Sequence, residues 1–176
     1  MAAGWLLRVT GLIVGLALPL LLIACTEEAA PPPSLAGTGS KDDSFIEVTI
    51  KGRVFNLELA LDDATRFQGL SDREQIPEDG GMLFVFPDAQ VRQFVMRRCL
   101  VPIDIAFLDA DGEVVWMHAM QIEPDPEAPD YRLKHYSSHY PAQFAIEFRE
   151  GTIRRLGLKQ GDRIDLPLDS LKKRAQ

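Results

Sequence analysis

Apolar and polar residues alternate along most of the chain after residue 44, and the alternation predicts short strands. Ile46, Val48 and Ile50 alternate with Glu47, Thr49 and Lys51. Phe55, Leu57, Leu59 and Leu61 resume the same period beyond Lys51-Gly52. A period of two lines one face of a strand, so this segment reads as a hairpin. Asp62 or Asp63 then caps a short helix that carries Phe67 and Leu70 three apart, with Gly69 near its end.

Further along, Glu78-Asp79-Gly80-Gly81 is a turn before a short buried strand from Met82 to Phe86. Residues 91–97 and 101–108 predict two more strands, and Ala110-Asp111-Gly112 turns the second into a hairpin with 114–120. The acid- and proline-rich run at 123–130 suits only a surface loop. Ala142, Phe144, Ile146 and Phe148 alternate again, Thr152 caps a single helical turn ended by Gly157, and Ile164, Leu166 and Leu168 close the pattern. The expected fold is mostly β (α+β): a single rolled sheet or a partly closed small barrel with two short helices.

The first 24 residues follow another rule. One basic residue, Arg8, precedes an apolar run from Val9 to Ala24 that contains Pro19, near the short limit for a membrane span. A basic start, a short apolar run and a small residue at its end describe a secretory signal. The run closes Leu22-Ile23-Ala24-Cys25, which resembles the lipobox of bacterial lipoproteins. That resemblance implies cleavage after Ala24 and a diacylglycerol thioether on Cys25. More than one acyl chain anchors a protein firmly, where a single chain does not. Residues 26–44 are rich in Pro, Gly, Ser, Ala and acids, without periodicity, and read as a flexible tether. The expected organisation is a signal at 1–24, a lipidated cysteine and tether at 25–44, and one β-rich domain at 45–176. Thr26, by resemblance to enterobacterial sorting, points to the outer membrane, facing the periplasm.

Composition narrows the partners. The 176 residues carry a net charge of −7, which argues against a nucleic-acid binder that must displace counterions from phosphate. Two cysteines cannot build a disulfide framework, and Cys25 belongs to the anchor. The expected partners are therefore the membrane, through lipid on Cys25, and an envelope protein or small ligand.

Several gapped motifs then fall in order: Arg66-x-x-Gly69-Leu70, Gly81-Met82-Leu83-Phe84-x-Phe86, Phe94-x-Met96, Pro102-Ile103-Asp104-x-x-Phe107, Asp111-Gly112, Leu156-Gly157 and Gly161-Asp162. Together they resemble the bacterial and archaeal family called domain of unknown function 192. The resemblance implies a compact β-rich fold, often exported, with no agreed enzymatic activity. Members often carry Trp where this chain has Val95, Asn-Thr where it has Arg98-Cys99, and Met where it has Ser71. Those departures replace neutral polar groups with a second basic group and a thiol.

The candidate site residues are Arg66, Met82, Met96, Arg98, Cys99 and Asp104. Val101, Ile103, Ile105 and Phe107 take one strand face, leaving Asp104 on the other beside Ala106 and Leu108. A carboxylate there needs a partner, and Arg66, Arg97 and Arg98 offer guanidinium forks. Two readings follow: a structural ion pair, or the polar end of a ligand pocket. Arginines beside Cys99 favour its thiolate, yet nucleophilic catalysis also needs a base, and a lone cysteine near a strand end is more often a small buried hydrophobe. Met82 and Met96 sit on apolar strand faces and suit core packing. His135 and His139 are four apart, but the segment is not helical and lacks the zincin glutamate, so no metal is expected. No cofactor fingerprint is present. The leading expectation is an envelope-anchored accessory or binding module. The alternative is an enzyme using Asp104 with Arg66 or Arg98, with or without Cys99.

Overall fold

The computed structural model describes residues 43–125 and 127–176. The predicted signal, lipid-bearing Cys25 and most of the tether lie outside them. Six strands form one sheet: β1 (Phe45–Ile50), β2 (Arg53–Ala60), β3 (Gly80–Phe94), β4 (Ile103–Leu108), β5 (Val114–Met120) and β6 (Tyr136–Arg149). Their order is β1-β2-β3-β6-β4-β5, and every neighbouring pair is antiparallel except β2–β3. The sheet does not close, which selects the rolled sheet over the barrel.

The β1–β2 hairpin turns at Lys51 and Gly52, whose φ values of 50° and 79° give the left-handed pair that matches strand twist. Between the parallel strands β2 and β3 the chain crosses over through α1 (Asp63–Gln68). Asp62 caps that helix reciprocally: the Thr65 N–H donates to its carboxylate at 2.9 Å, and the Asp62 N–H donates to the Thr65 hydroxyl at 3.3 Å.

Two layers of side chains cover the two faces of the sheet. Phe55, Leu57, Leu83, Val85, Phe144, Ile146 and Phe148 pack on one face with Leu158 and Leu171. Phe84, Met96, Ile103, Ile105 and Phe107 pack on the other with Leu70 and Ile76. The strands in the middle of the sheet are thus apolar on both sides.

The details correct several expectations. Met82–Phe86 and residues 91–94 are not separate strands but parts of the 15-residue β3, and residues 95–97 lie beyond its end. The long strand β6 runs beside both, and the register shift between Val85 and Gln90 absorbs the irregularity around Pro87. The Gln143 amide donates to the Phe86 and Pro87 carbonyls at 3.3 Å each, satisfying backbone that the bulge removes from the ladder. β6 begins at Tyr136, so the non-helical segment that carries His139 is strand, with His135 just before it. Residues 164–168 do not form a strand. The bridge there joins Glu113 to Arg163, just before them, and the chain then turns into α3 (Leu168–Arg174), where Leu171 reaches the first core. The described residues accordingly hold three short α-helices, not two. In α2 (Thr152–Leu156) the cap position belongs to Gly151, not Thr152, whose hydroxyl instead accepts from Arg155 at 2.7 Å.

Candidate functional site

The crossover between β2 and β3 leaves a cavity of about 830 Å³ against the second face of the sheet. α1 lines it with Arg66 and Phe67, β3 with Phe84, Phe86, Arg92 and Phe94, the turn after β3 with Arg97 and Cys99, and β6 with Glu147. Phe94 is the hub of the aromatic wall, edge-on to Phe84 at 5.0 Å, Phe86 at 6.3 Å and Phe107 at 5.4 Å between ring centres. Rings in that arrangement present mixed edges and faces to whatever lies beside them.

Each arginine of the wall is already occupied. Only 8% of the Arg66 side chain is exposed; it donates to the Leu61 and Val85 carbonyls at 2.8 Å each, to Asp63 at 2.7 Å and to the Gln176 main chain. Its guanidinium lies 5.5 Å from the Phe86 ring centre, and that of Arg92 lies 4.1 Å from it. Arg92 pairs with Asp88 and also donates to the Ala142 carbonyl. Arg97 sits 3.8 Å over Phe67, a ring left 68% exposed, and pairs with Asp130 at 3.0 Å.

Glu147 breaks this pattern. It stands on β6, opposite Met82 of β3 and Ile105 of β4, and only 5% of its surface is exposed. Its Oε2 atom is the buried side-chain oxygen without a hydrogen-bond partner among the described residues. Burial pushes its carboxyl up to about 8, so near neutral pH it holds its proton. Gly81 permits the position: its φ is 152°, and a Cβ there would stand 2.2 Å from the Glu147 carbonyl oxygen. Glycine lets β3 approach β6 closely at this point.

The residues singled out from sequence are distributed differently. Arg66 and Cys99 line the cavity, while Met82 and Met96 are buried in the core beside it. Arg98 faces away and pairs with Asp72 at 2.8 Å. Asp104 meets none of the proposed arginines. It lies on the Ala106 side of β4, and its Oδ2 accepts from the Ile153 N–H at 2.9 Å. The carboxylate thereby satisfies one of the unpaired donors in the first turn of α2, which has no side-chain cap of its own. Cys99 is a small buried core residue, the second of its two expected readings, and not a thiolate. Its thiol is pushed up to about 12, first by burial and then by Glu147 and Asp72, with Arg97 opposing. Its hydrogen bond, 3.5 Å to the Arg97 carbonyl, supplies no base.

Glu147 escaped the sequence reading because Phe144, Ile146 and Phe148 alternate with it, and the remaining positions looked like a solvent face. The available signal was the company it keeps: Ala145, two residues before it on the same face, is too small and apolar for an exposed strand face.

Among the described residues, an open six-stranded sheet with three short α-helices defines a small β-rich domain. Residues 46–166 match the family DUF192, Uncharacterized ACR, and the chain belongs to it. A candidate transcription regulator from Sinorhizobium meliloti 1021 is 33% identical, with a TM-score of 0.56 over 68% of this chain and 88% of its own. A protein of unknown function from Novosphingobium aromaticivorans DSM 12444 is 28% identical, with a TM-score of 0.59 over 69% and 85%. Among curated proteins nothing matches the chain.

Proposed function

We propose that this chain is an envelope lipoprotein, anchored through Cys25, whose domain binds a small ligand in the cavity beneath α1. The observation that carries the reading is the cavity: about 830 Å³, aromatic-walled, with one buried carboxyl oxygen left unpartnered. Concave cavities of that volume are the usual size of small-molecule sites. Chemistry at the same place is disfavoured by the raised Cys99 thiol and by the separation of Asp104 from the arginines. The net charge of −7 weighs against nucleic-acid contact as the basis of a regulatory role like that ascribed to the S. meliloti protein.

The test uses the full chain in lipid nanodiscs, screened by thermal shift against a small-molecule panel. Val95→Trp serves as control, since Val95 lines the cavity and a large ring there narrows it. Compounds that stabilise the parent chain but not the variant are expected. Equal stabilisation of both overturns the cavity reading. Mass analysis of the amino-terminal peptide tests the anchor: acylated Cys25 is expected, and an unmodified mature chain overturns it.

A further inference from the structure

We propose that the cavity takes an organic cation: a ligand with an apolar or aromatic body and an amine head received by the free oxygen of Glu147. The inference rests on reading the cavity as a binding site and names the ligand class. Its basis is a charge count around the wall. Arg66 has Asp63, Arg92 has Asp88 and Arg97 has Asp130. The ionisable groups facing the cavity are thus Asp63 and Arg66 from α1, Asp88 and Arg92 from β3, Arg97 and Cys99 from the turn, and Glu147 from β6. Glu147 alone among these carboxyls has no counter-charge.

An anionic ligand would meet arginines whose hydrogen bonds are already committed, and would leave the Glu147 oxygen unsatisfied. While the carboxyl keeps its proton a neutral donor satisfies that oxygen, but it cannot balance the charge once the proton leaves. An ammonium group does both, and Phe84 and Phe94 line the same cavity beside an apolar ligand body. Binding exchanges one proton: the carboxyl O–H proton leaves to solvent, the ammonium keeps its own, and an N–H···O⁻ pair forms. No bond other than that O–H is broken.

This predicts a pH signature. Because burial holds the carboxyl up to about 8, ligand binding near neutrality must release a proton. The affinity for a cation then rises about tenfold per pH unit up to the Glu147 ionisation and levels off above it.

The experiment titrates the full chain in nanodiscs with three probes that share an indole body: tryptamine, tryptophol and indole-3-acetate. Calorimetry at pH 7 in two buffers of different ionisation enthalpy reads proton release. Tryptamine should bind at least tenfold more tightly than the other two and release close to one proton. Glu147→Gln should lose both the preference and the proton, while folding normally by circular dichroism. Glu147→Asp, which keeps the charge on a shorter arm, should retain the proton release. Tryptophol or indole-3-acetate binding as well as tryptamine overturns the cation. If that binding is lost in Val95→Trp, the cavity reading survives without it. Tryptamine binding undiminished in Glu147→Gln, or no binding of any probe at millimolar concentration, also overturns the inference.

Discussion

Replacing Glu147 by glutamine removes one ionisation while keeping the side chain's shape, and its effect on stability can be worked out in advance. An exposed glutamate ionises near 4.5, whereas the buried Glu147 carboxyl holds its proton up to about 8. The folded pKa is raised, so the contribution to stability is fully present below pH 4.5 and is lost as pH rises through 8. Between pH 5 and pH 9 the unfolded chain gives up a proton that the folded chain retains for most of the interval. Linkage converts that difference into a loss on the order of 4 kcal/mol. Urea unfolding of parent and Glu147→Gln at pH 5, 7 and 9 measures it. Other groups titrate in both proteins and cancel when the two pH dependences are subtracted. With a urea slope of about 2 kcal/mol per molar, the gap between midpoints should widen by about 2 M from pH 5 to pH 9 in favour of the variant. Parallel curves would refute the reasoning, because Glu147 would then be ionised or hydrated in the folded state.

Three further outcomes follow from the same geometry. Gly81→Ala drives a Cβ into the Glu147 carbonyl and should cost about 3 kcal/mol or more in thermal unfolding; a loss below about 1 kcal/mol would show that β3 can shift freely. Asp104→Ala leaves the Ile153 N–H without its acceptor and should cost about 1–3 kcal/mol, with Asp104→Asn milder and cavity binding unchanged in both. A change in ligand affinity without a change in stability would reverse that assignment. Cys99, raised from 9 to about 12, should react with iodoacetamide at pH 8 about a thousandfold more slowly than an exposed thiol, measured in a Cys25→Ser background. Rapid alkylation would expose a thiolate that the buried setting does not accommodate.

Periodicity made the strands legible because side-chain direction in a strand alternates whatever lies above it. Ile46 to Ile50, Phe55 to Leu59 and Val114 to Met120 are strands for that reason. The Asp62 cap was legible too, since it depends only on residues within one turn. What alternation cannot carry is a neighbour distant in sequence. β3 is one strand instead of two because β6 supplies a ladder past Pro87, and that partner lies some fifty residues onward. The site suffered the same limit. Asp104 was correctly placed on the face opposite Ile103, yet its partner is a backbone N–H in α2, not an arginine. Guanidinium groups look like natural partners for a carboxylate in sequence, but backbone donors carry no sequence signature. Glu147 became a site residue only because β4 and β3 flank it and both faces of the sheet are covered.

The carboxyl-terminal segment has a practical consequence. The Gln176 N–H donates to the Leu61 carbonyl at 2.8 Å, its own main-chain oxygen accepts from Arg66, and Arg174 donates to the Asp43 carbonyl at 2.6 Å. The first and last described residues of the domain therefore meet at one corner, beside a cavity that Gln176 itself lines. An affinity tag fused after Gln176 would begin at the rim of the cavity and compete with any ligand for it. The same proximity makes the domain a good subject for circular permutation, with a short linker joining the old ends and new ends opened at the Lys51-Gly52 turn. Such a rearranged chain would move the point of attachment away from the cavity and leave its mouth clear.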